Sequence, residues 1–212
     1  MTLAPDHMAD ADDLSRDADL AALAASRICH DIVSPLGAIG NGVELIEMTG
    51  AAGGPEIALI RESVADATAR IRFFRIAFGS AWAGQHVGEE EWGPALRARS
   101  RGSRMALEWE PAGSLPRVEG KLAFLALACL ESACAYGGTA SAQRGARGAW
   151  SLVLKAERLR FDEALWPLLD GAPVPEDLPP SAVQFALLPA AARAAGRSLR
   201  VETTSTRAQI RF

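Results

Sequence analysis

One short stretch of the sequence, residues 30–36, carries side chains suited to group-transfer chemistry. It begins with His30, whose imidazole can act as a nucleophile when one ring nitrogen is free. Asp31 follows directly, and a carboxylate in that position can hold the other ring nitrogen or accept its proton. A lone histidine on a helix is usually an ordinary surface residue, so the neighbouring Asp31 is what makes His30 and Asp31 the predicted catalytic pair.

The sequence around His30 predicts a helix that turns this side chain toward solvent. Two flanking isoleucines belong to an apolar stripe with helical spacing, and a residue two positions from both lies roughly 160° away from that stripe. On the histidine side, Ser34, Gly37 and Asn41 continue the same face with small groups, which would let a partner protein approach closely. Pro35 removes one helical hydrogen bond and is expected to kink the helix. The stripe consists of Ile28, Ile32, Leu36, Ile39, Val43 and Ile46.

Two long helices are expected to position this stretch. An acidic tail over residues 1–15 is predicted to be flexible, and residues 16–84 are predicted to form an antiparallel helical hairpin joined at a glycine-rich turn over residues 49–54. The hairpin leaves apolar seams that need a cover, either a second copy that closes a dimeric four-helix bundle or the rest of the chain; we favour the homodimer. The seam of the second helix consists of Ile57, Ile60, Val64, Ala67, Ile71, Phe74 and Phe78.

Residues 85–212 have a different sequence pattern, in which short segments of alternating apolar and polar residues are separated by glycines and prolines. They predict an α+β domain with a sheet covered by helices on one face. The expected strands are residues 105–110, 141–143, 150–155, 199–203 and 207–212. The expected helices are residues 95–100, 120–136, 162–169 and 181–195.

Composition excludes several other functions. The 212-residue chain is 49% hydrophobic with a formal charge of -4, so it can fold into real cores but lacks the basic surplus that favours nucleic-acid binding. Cys29, Cys129 and Cys134 lack paired spacing and are interpreted as free, buried thiols, and the scattered histidines predict no metal site. No apolar run is long enough for a membrane span, and the acidic amino terminus is unlike a signal peptide. A cytoplasmic location is expected.

The stretch HDIVSPL at residues 30–36 resembles the H-box of two-component histidine kinases, in which a histidine and an acidic residue precede Ser or Thr, proline and leucine. Together with RIAFGS at residues 75–80 and AARAAG at residues 191–196, it makes the chain similar to the alphaproteobacterial ChpT-type histidine phosphotransferases. The resemblance covers nearly the whole chain after the tail. It implies a dimerising helical hairpin followed by a degenerate histidine-kinase ATPase-like α/β sandwich domain.

The resemblance also implies a reaction and its partners. His30 would take phosphate from the receiver domain of a CckA-like hybrid kinase and pass it to CtrA-like or CpdR-like response regulators. The partner receiver would supply the magnesium ion, and this chain would bind no cofactor. Arg27, Val33, Ser34, Gly37 and Asn41 are the predicted partner contacts. Val33 stands where the H-box of kinases often has a basic residue. For Arg27, an ordinary surface role is an equal alternative to a partner contact. Ser34 has a second hypothetical role, which is to support dephosphorylation of the partner.

The second domain decides between a carrier and a kinase. Where a kinase would place magnesium-binding asparagines, residues 128–136 contain none, and the chain has no Asp-x-Gly-x-Gly motif. Glu131 is the one carboxylate there, either a metal ligand or an ordinary helix side chain. The missing motifs predict loss of ATP binding and hence a phosphotransferase. The alternatives are a histidine kinase fragment with a divergent nucleotide site and a non-enzymatic dimerisation module that binds response regulators.

Overall fold

The computed structural model describes residues 6–49 and 55–212 of the chain. Helix α1 spans Asp6–Thr49 and helix α2 spans Pro55–Ala77. Ala38 and Leu59 line one groove between these helices, while the Asp31 carbonyl is bonded by Arg70. Late residues of α1 therefore lie beside early residues of α2, so the helices form the expected antiparallel hairpin. Most of the glycine-rich turn predicted at residues 49–54 lies outside the described residues.

The first helix is longer than the sequence predicted, with 44 residues. The expectation of a flexible tail over residues 1–15 is corrected from Asp6 onward, because α1 begins there; residues 1–5 lie outside the described residues. Neither glycine nor proline occurs between Asp6 and Ser34, and acidic residues near a helix amino terminus interact favourably with the helix dipole. Within the described residues, no helix combines the length and apolar character needed to cross a bilayer.

The remaining chain forms a mixed sheet with helices, which gives the predicted α+β class. Its strands are β1 His86–Val87, β2 Met105–Trp109, β3 Leu115–Pro116, β4 Gly138–Arg144, β5 Trp150–Lys155, β6 Arg200–Thr204 and β7 Arg207–Arg211. Its helices are α3 Glu89–Gly102, α4 Arg117–Ala133 and α5 Val183–Ala194. The main sheet has the order β2-β4-β5-β7-β6; β2 and β4 are parallel and the other pairs antiparallel. Strands β1 and β3 form a separate antiparallel pair.

Two helix predictions in this part need correction. Helix α3 begins at Glu89 rather than near residue 95, although it contains Gly93 and Pro94, residue types that favour a break. Three glutamates in its first turn favour the helix, and burial of Trp92 fixes it against the core. The helix expected over residues 162–169 is a 3-10 turn, Trp166–Asp170, because Pro167 cannot donate a helical hydrogen bond and the segment is short.

The core lies between α4 and the sheet, and the end of α2 enters it. Phe73 of α2 packs against Phe124 of α4 with ring centroids 5.0 Å apart, and Ile76 is fully buried. Burial of each such side chain contributes about 1.5–3 kcal/mol. Because the last turns of α2 share this core, the helical hairpin and the C-terminal domain pack as one unit rather than through a bare linker.

Side chains of α4 also satisfy the carbonyl groups at the end of α2. Arg117 donates to the carbonyl oxygens of Arg75 and Ser80, each at 2.9 Å, and Lys121 donates to that of Gly79 at 2.9 Å. The last carbonyls of a helix have no partner within the helix, and nearby cations stabilise them. Helix α2 therefore ends within the RIAFGS stretch, at a point where side chains of α4 can bond its last carbonyl groups.

Part of the hairpin seam stays exposed within the part of the chain that the structure describes. Ile28 and Ile32 are partly buried against the C-terminal domain, and Phe74 is buried. Four other seam residues are exposed, and within each helix they are seven positions apart: Leu36 and Val43 on α1, Val64 and Ile71 on α2. Heptad spacing of exposed apolar residues is typical of a surface that packs against another helix pair.

Candidate functional site

His30 lies on the outer face of α1, and 85% of its side chain is exposed. Its Nδ1 atom is 3.0 Å from Oδ1 of Asp31. In the neutral tautomer that carries its proton on Nδ1, the ring donates to the carboxylate and leaves the Nε2 lone pair free. The arrangement presents one nucleophilic nitrogen to solvent and fixes the other.

Asp31 is mostly buried, with 16% of its side chain exposed, and both of its oxygens have partners. Oδ1 contacts His30, and Oδ2 accepts a hydrogen bond from Nε of Arg27 at 2.7 Å. Burial by itself raises the pKa of Asp31, but the hydrogen bonds from His30 and Arg27 and the positive charge of Arg27 outweigh burial and lower it. Asp31 is therefore an ionised carboxylate at neutral pH and a weaker base than an ordinary aspartate.

Arg27 does not lie where the sequence placed it. It was predicted to contact a partner from the exposed sector around His30, yet only 18% of its side chain is exposed. Its guanidinium turns toward the C-terminal domain, and NH1 donates to the carbonyl oxygen of Ser181. The apolar residues one turn away pack the same side of α1 against that domain, which draws the long side chain inward.

Helix α1 continues through Pro35 rather than ending there. Proline has no N–H, so the carbonyl of Asp31, four positions earlier, loses its partner in the helix. Arg70 of α2 approaches this oxygen with NH1 at 3.4 Å, while its Nε bonds Asp66 at 2.8 Å. Asp31 is therefore contacted by Arg27 at its side chain and by Arg70 at its backbone.

The other predicted partner contacts lie on the surface. Val33, Ser34, Gly37 and Asn41 are all exposed, and 66% of Val33 is accessible. A Cβ added at Gly37 would meet no atom within 4 Å, so the glycine leaves the helix backbone open to an approaching protein. These exposed residues continue from His30 along one face of α1.

A polar cavity of about 280 Å³ lies behind Asp31, between the hairpin and helices α3 and α4. Its charged lining consists of Arg27, Asp31, Asp66, Arg70, Arg99 and Glu131. Glu131 accepts from Nε of Arg99 at 2.7 Å, so the carboxylate considered as a metal ligand is in an ion pair. Among the residues the structure describes, no group of three His, Cys, Asp or Glu side chains could hold a metal ion.

Sequence reasoning missed Arg70, Arg99 and Ser181. Arg70 is 39 positions from Asp31, and Ser181 is 154 positions from Arg27, so no local spacing signals either contact. The sequence offered one weak signal for Arg70, since Pro35 leaves a carbonyl that some donor must satisfy.

Two of the three cysteines, Cys129 and Cys134, are buried in the core. Burial raises the pKa of the Cys129 thiol well above its ordinary range, and Cys134 is also buried. Both thiols are core side chains of the helix region that lacks asparagines. Cys29, next to His30, is exposed, which corrects the expectation that all three thiols are buried.

The chain is similar to known histidine phosphotransferases in sequence and in fold. Residues 90–207 match the family of the histidine phosphotransferase C-terminal domain. The chain is 33% identical over 192 residues to the protein phosphotransferase ChpT of Brucella abortus (strain 2308), covering 88% of this chain and 91% of that protein. A solved structure of a bacterial phosphotransferase superposes with a TM-score of 0.76 at 30% identity, covering 100% of this chain and 98% of the other. The chain therefore belongs to the ChpT-type histidine phosphotransferases, a family of phosphorelay proteins.

Proposed function

We propose that His30 is the residue that carries the phosphoryl group. It accepts phosphate from the phosphoaspartate of a receiver domain in a CckA-like hybrid kinase and passes it to CtrA-like or CpdR-like response regulators. The observation that carries the proposal is the exposed imidazole whose Nδ1 is held by Asp31 at 3.0 Å. We also propose a cytoplasmic location, in keeping with this role.

The reaction requires little covalent help from this chain. The Nε2 lone pair of His30 attacks the phosphorus of the phosphoaspartate in line, the bond between phosphorus and the aspartyl oxygen breaks, and the receiver carboxylate leaves. No proton has to leave Nδ1, because the phosphorylated ring keeps it and carries the positive charge. The partner receiver supplies the magnesium ion that neutralises the phosphoryl oxygens.

Asp31 orients the ring in this mechanism. Its lowered pKa makes it a poor proton acceptor, whereas its negative charge stabilises the positive charge that develops on the imidazole during attack. Of the two roles that the sequence left open, orientation is the one that the electrostatics favour. The reverse transfer, from His30 to a second receiver, uses the same contact.

The receiver is proposed to dock over the surface formed by Val33, Ser34, Gly37 and Asn41. An in-line attack requires the acidic pocket of the receiver to reach Nε2, and long side chains on α1 would hold it away. The small side chains at three of these positions and the apolar Val33 suit such an approach. Arg27 is not proposed as part of this surface, since its guanidinium bonds Asp31 and the Ser181 carbonyl of the same chain.

A homodimer is proposed to cover the exposed part of the seam. Leu36, Val43, Val64 and Ile71 are exposed apolar side chains at heptad spacing, and the C-terminal domain of the same chain does not reach them. Two hairpins packed along these residues would form a four-helix bundle. His30 is turned away from the seam and would stay accessible in that assembly.

Transfer of acid-labile phosphate tests the proposal. Wild type, His30→Gln and His86→Gln would each be incubated separately with a phosphorylated receiver domain and with Mg-ATP. His86 is the matched control, because it is also an exposed histidine but lies in the connector strand β1. We expect label from the receiver in wild type and His86→Gln, and none in His30→Gln.

The same experiment separates the alternatives. Label arriving from Mg-ATP alone would identify a histidine kinase with a divergent nucleotide site. Absence of label in wild type, with receiver binding intact, would identify a non-enzymatic module. Label that persists in His30→Gln would show that another residue carries the phosphoryl group, and this result would overturn the proposal.

A further inference from the structure

We infer that Arg27 is a positioning residue that couples the C-terminal domain to the phosphoacceptor histidine. It holds the Asp31 carboxylate, and through it the His30 ring, in the orientation needed for transfer. The inference rests on the proposed role of His30, and it assigns to the C-terminal domain a task inside the transfer site in addition to any contact with partners.

Three consecutive contacts support this coupling. His30 Nδ1 lies 3.0 Å from Oδ1 of Asp31, and Oδ2 of Asp31 accepts from Nε of Arg27 at 2.7 Å. NH1 of Arg27 then donates to the carbonyl oxygen of Ser181. Because His30 and Arg27 use different oxygens, together they fix the rotation of the carboxylate about its own axis. A single contact would leave that rotation free.

The anchor of this chain of contacts is rigid. Ser181 lies in the 3-10 turn Pro180–Ala182, directly after two prolines, and only Ala182 separates it from α5. The prolines fix their own φ angles, and Ala182 N–H donates to the carbonyl oxygen of Pro179 at 2.8 Å. Ala182 and Val183 are buried in the core. The carbonyl of Ser181 is therefore placed by the core of the C-terminal domain.

The partial burial of Arg27 and Asp31 strengthens the hydrogen bond between them. The Arg27 and Asp31 side chains are 18% and 16% exposed, and a hydrogen bond between charged groups is stronger when water is largely excluded. The cavity of about 280 Å³ next to them is large enough for water molecules. Without the guanidinium, water from this cavity would solvate Oδ2, and Asp31 could rotate away from His30.

A direct contact with the partner's phosphate is the competing explanation for any effect of Arg27 on transfer. The two explanations differ in how Arg27 depends on Asp31. A positioning residue acts only through Asp31, whereas a phosphate ligand acts whether or not Asp31 is present. A double-mutant cycle measures this dependence directly.

The cycle compares Arg27→Gln, Asp31→Asn and the double variant in transfer from a phosphorylated receiver at saturating concentration. We expect Arg27→Gln to slow transfer about tenfold in the wild-type background and less than about twofold in the Asp31→Asn background. Arg27→Lys should recover only part of the rate, since an ammonium group cannot bond Asp31 and Ser181 through a rigid fork. Arg160→Gln, an exposed arginine outside the hairpin, is the matched control. Equal slowing by Arg27→Gln in both backgrounds would overturn the inference.

The tautomer of His30 gives a readout that lost stability alone would not change. In ¹⁵N NMR spectra of the neutral ring, we expect the Nδ1–H form to dominate in wild type and to lose population in Arg27→Gln. A folded Arg27→Gln protein with the wild-type tautomer ratio would contradict the positioning role. If His30→Gln abolishes labelling while Arg27→Gln transfers at the wild-type rate, this inference alone fails; label on another residue would instead remove the proposed function.

Discussion

Arg70 of α2 supplies to the carbonyl of Asp31 the donor that Pro35 withholds. NH1 of Arg70 lies 3.4 Å from that oxygen, and the ion pair with Asp66 holds the guanidinium in place. Pro35 therefore leaves a backbone acceptor open beside His30, the proposed phosphoacceptor, and Arg70 of the second helix occupies it. The contact between Arg70 and the Asp31 carbonyl therefore depends on how α1 and α2 are aligned along each other.

This relationship predicts a dependence between Arg70 and Pro35. Arg70→Gln should lower the free energy of unfolding by about 1 kcal/mol in the wild-type background, because a half-buried carbonyl loses its donor. In a Pro35→Ala background residue 35 regains its N–H, so the same change should cost less than about half of that. Urea unfolding of the four proteins measures the cycle. Arg70→Gln removes the ion pair with Asp66 in both backgrounds, so the contribution of that pair cancels. An equal loss of unfolding free energy in both backgrounds would refute the relationship.

Dimerisation should depend on the exposed seam. Val64→Asp places a charge on the surface proposed to be shared by two hairpins, and in a symmetric dimer the loss counts twice. We expect dimer dissociation to increase on the order of a hundredfold, measured by sedimentation equilibrium. Val174→Asp is the control, since Val174 is 44% exposed and Val64 is 47% exposed, but Val174 lies between two prolines in the C-terminal domain, outside the hairpin. A Val64→Asp protein that remains dimeric would place the interface elsewhere.

Glu119 should be a main stabilising residue of the C-terminal domain. Its carboxylate accepts from Arg144 at 2.7 Å and from Trp150 Nε1 at 2.9 Å, and joins α4 to strands β4 and β5. Glu119→Gln removes the charge that compensates Arg144, and we expect a loss of about 2 kcal/mol, since Arg144 is partly exposed. Thermal and urea unfolding measure it. The exposed Glu163→Gln should stay within about 0.5 kcal/mol of wild type, and an equal effect of both would show that Glu119 has no special role.

Stability should fall at acid pH through two carboxylates. Burial raises the pKa of Glu119, but hydrogen bonds from Arg144 and Trp150 outweigh it and lower the pKa, and the pKa of Asp31 is also lowered. A carboxyl with a lowered folded pKa contributes stability that is present above its unfolded pKa and is lost as the pH falls through the folded pKa. Urea midpoints measured from pH 7 to pH 3 should therefore decrease, and less steeply in Glu119→Gln. An identical slope in that variant would exclude Glu119 as a source.

Local patterns in the sequence were enough for most of the elements. The helical spacing around His30 predicted an outward imidazole, and the local pattern predicted strand β5 at its observed bounds, Trp150–Lys155. The H-box letters also indicated the family. These features succeed because they depend on residues within a turn or a hairpin of each other.

Boundaries failed where tertiary contacts outweigh local propensity. Gly93 and Pro94 indicate a break, yet burial of Trp92 and Leu96 keeps them inside α3. The interpretation of residues 6–15 as a tail rested on their lack of an apolar stripe, whereas the absence of helix breakers lets α1 extend through them. In both places the sequence showed which residues favour or oppose a helix, but it did not show which of these opposing contributions is larger.

The sequence by itself determined that His30 of the proposed reactive pair faces solvent with Asp31 beside it, because the two residues are adjacent and helix geometry alone separates His30 from the apolar stripe. Only the tertiary structure decided what holds that pair. Arg27 was expected to face a partner and instead bonds Ser181, 154 positions away, and Arg70 reaches the Asp31 carbonyl across the hairpin. Long charged side chains can turn to either side of a helix, and which partner they find depends on what the fold packs beside them.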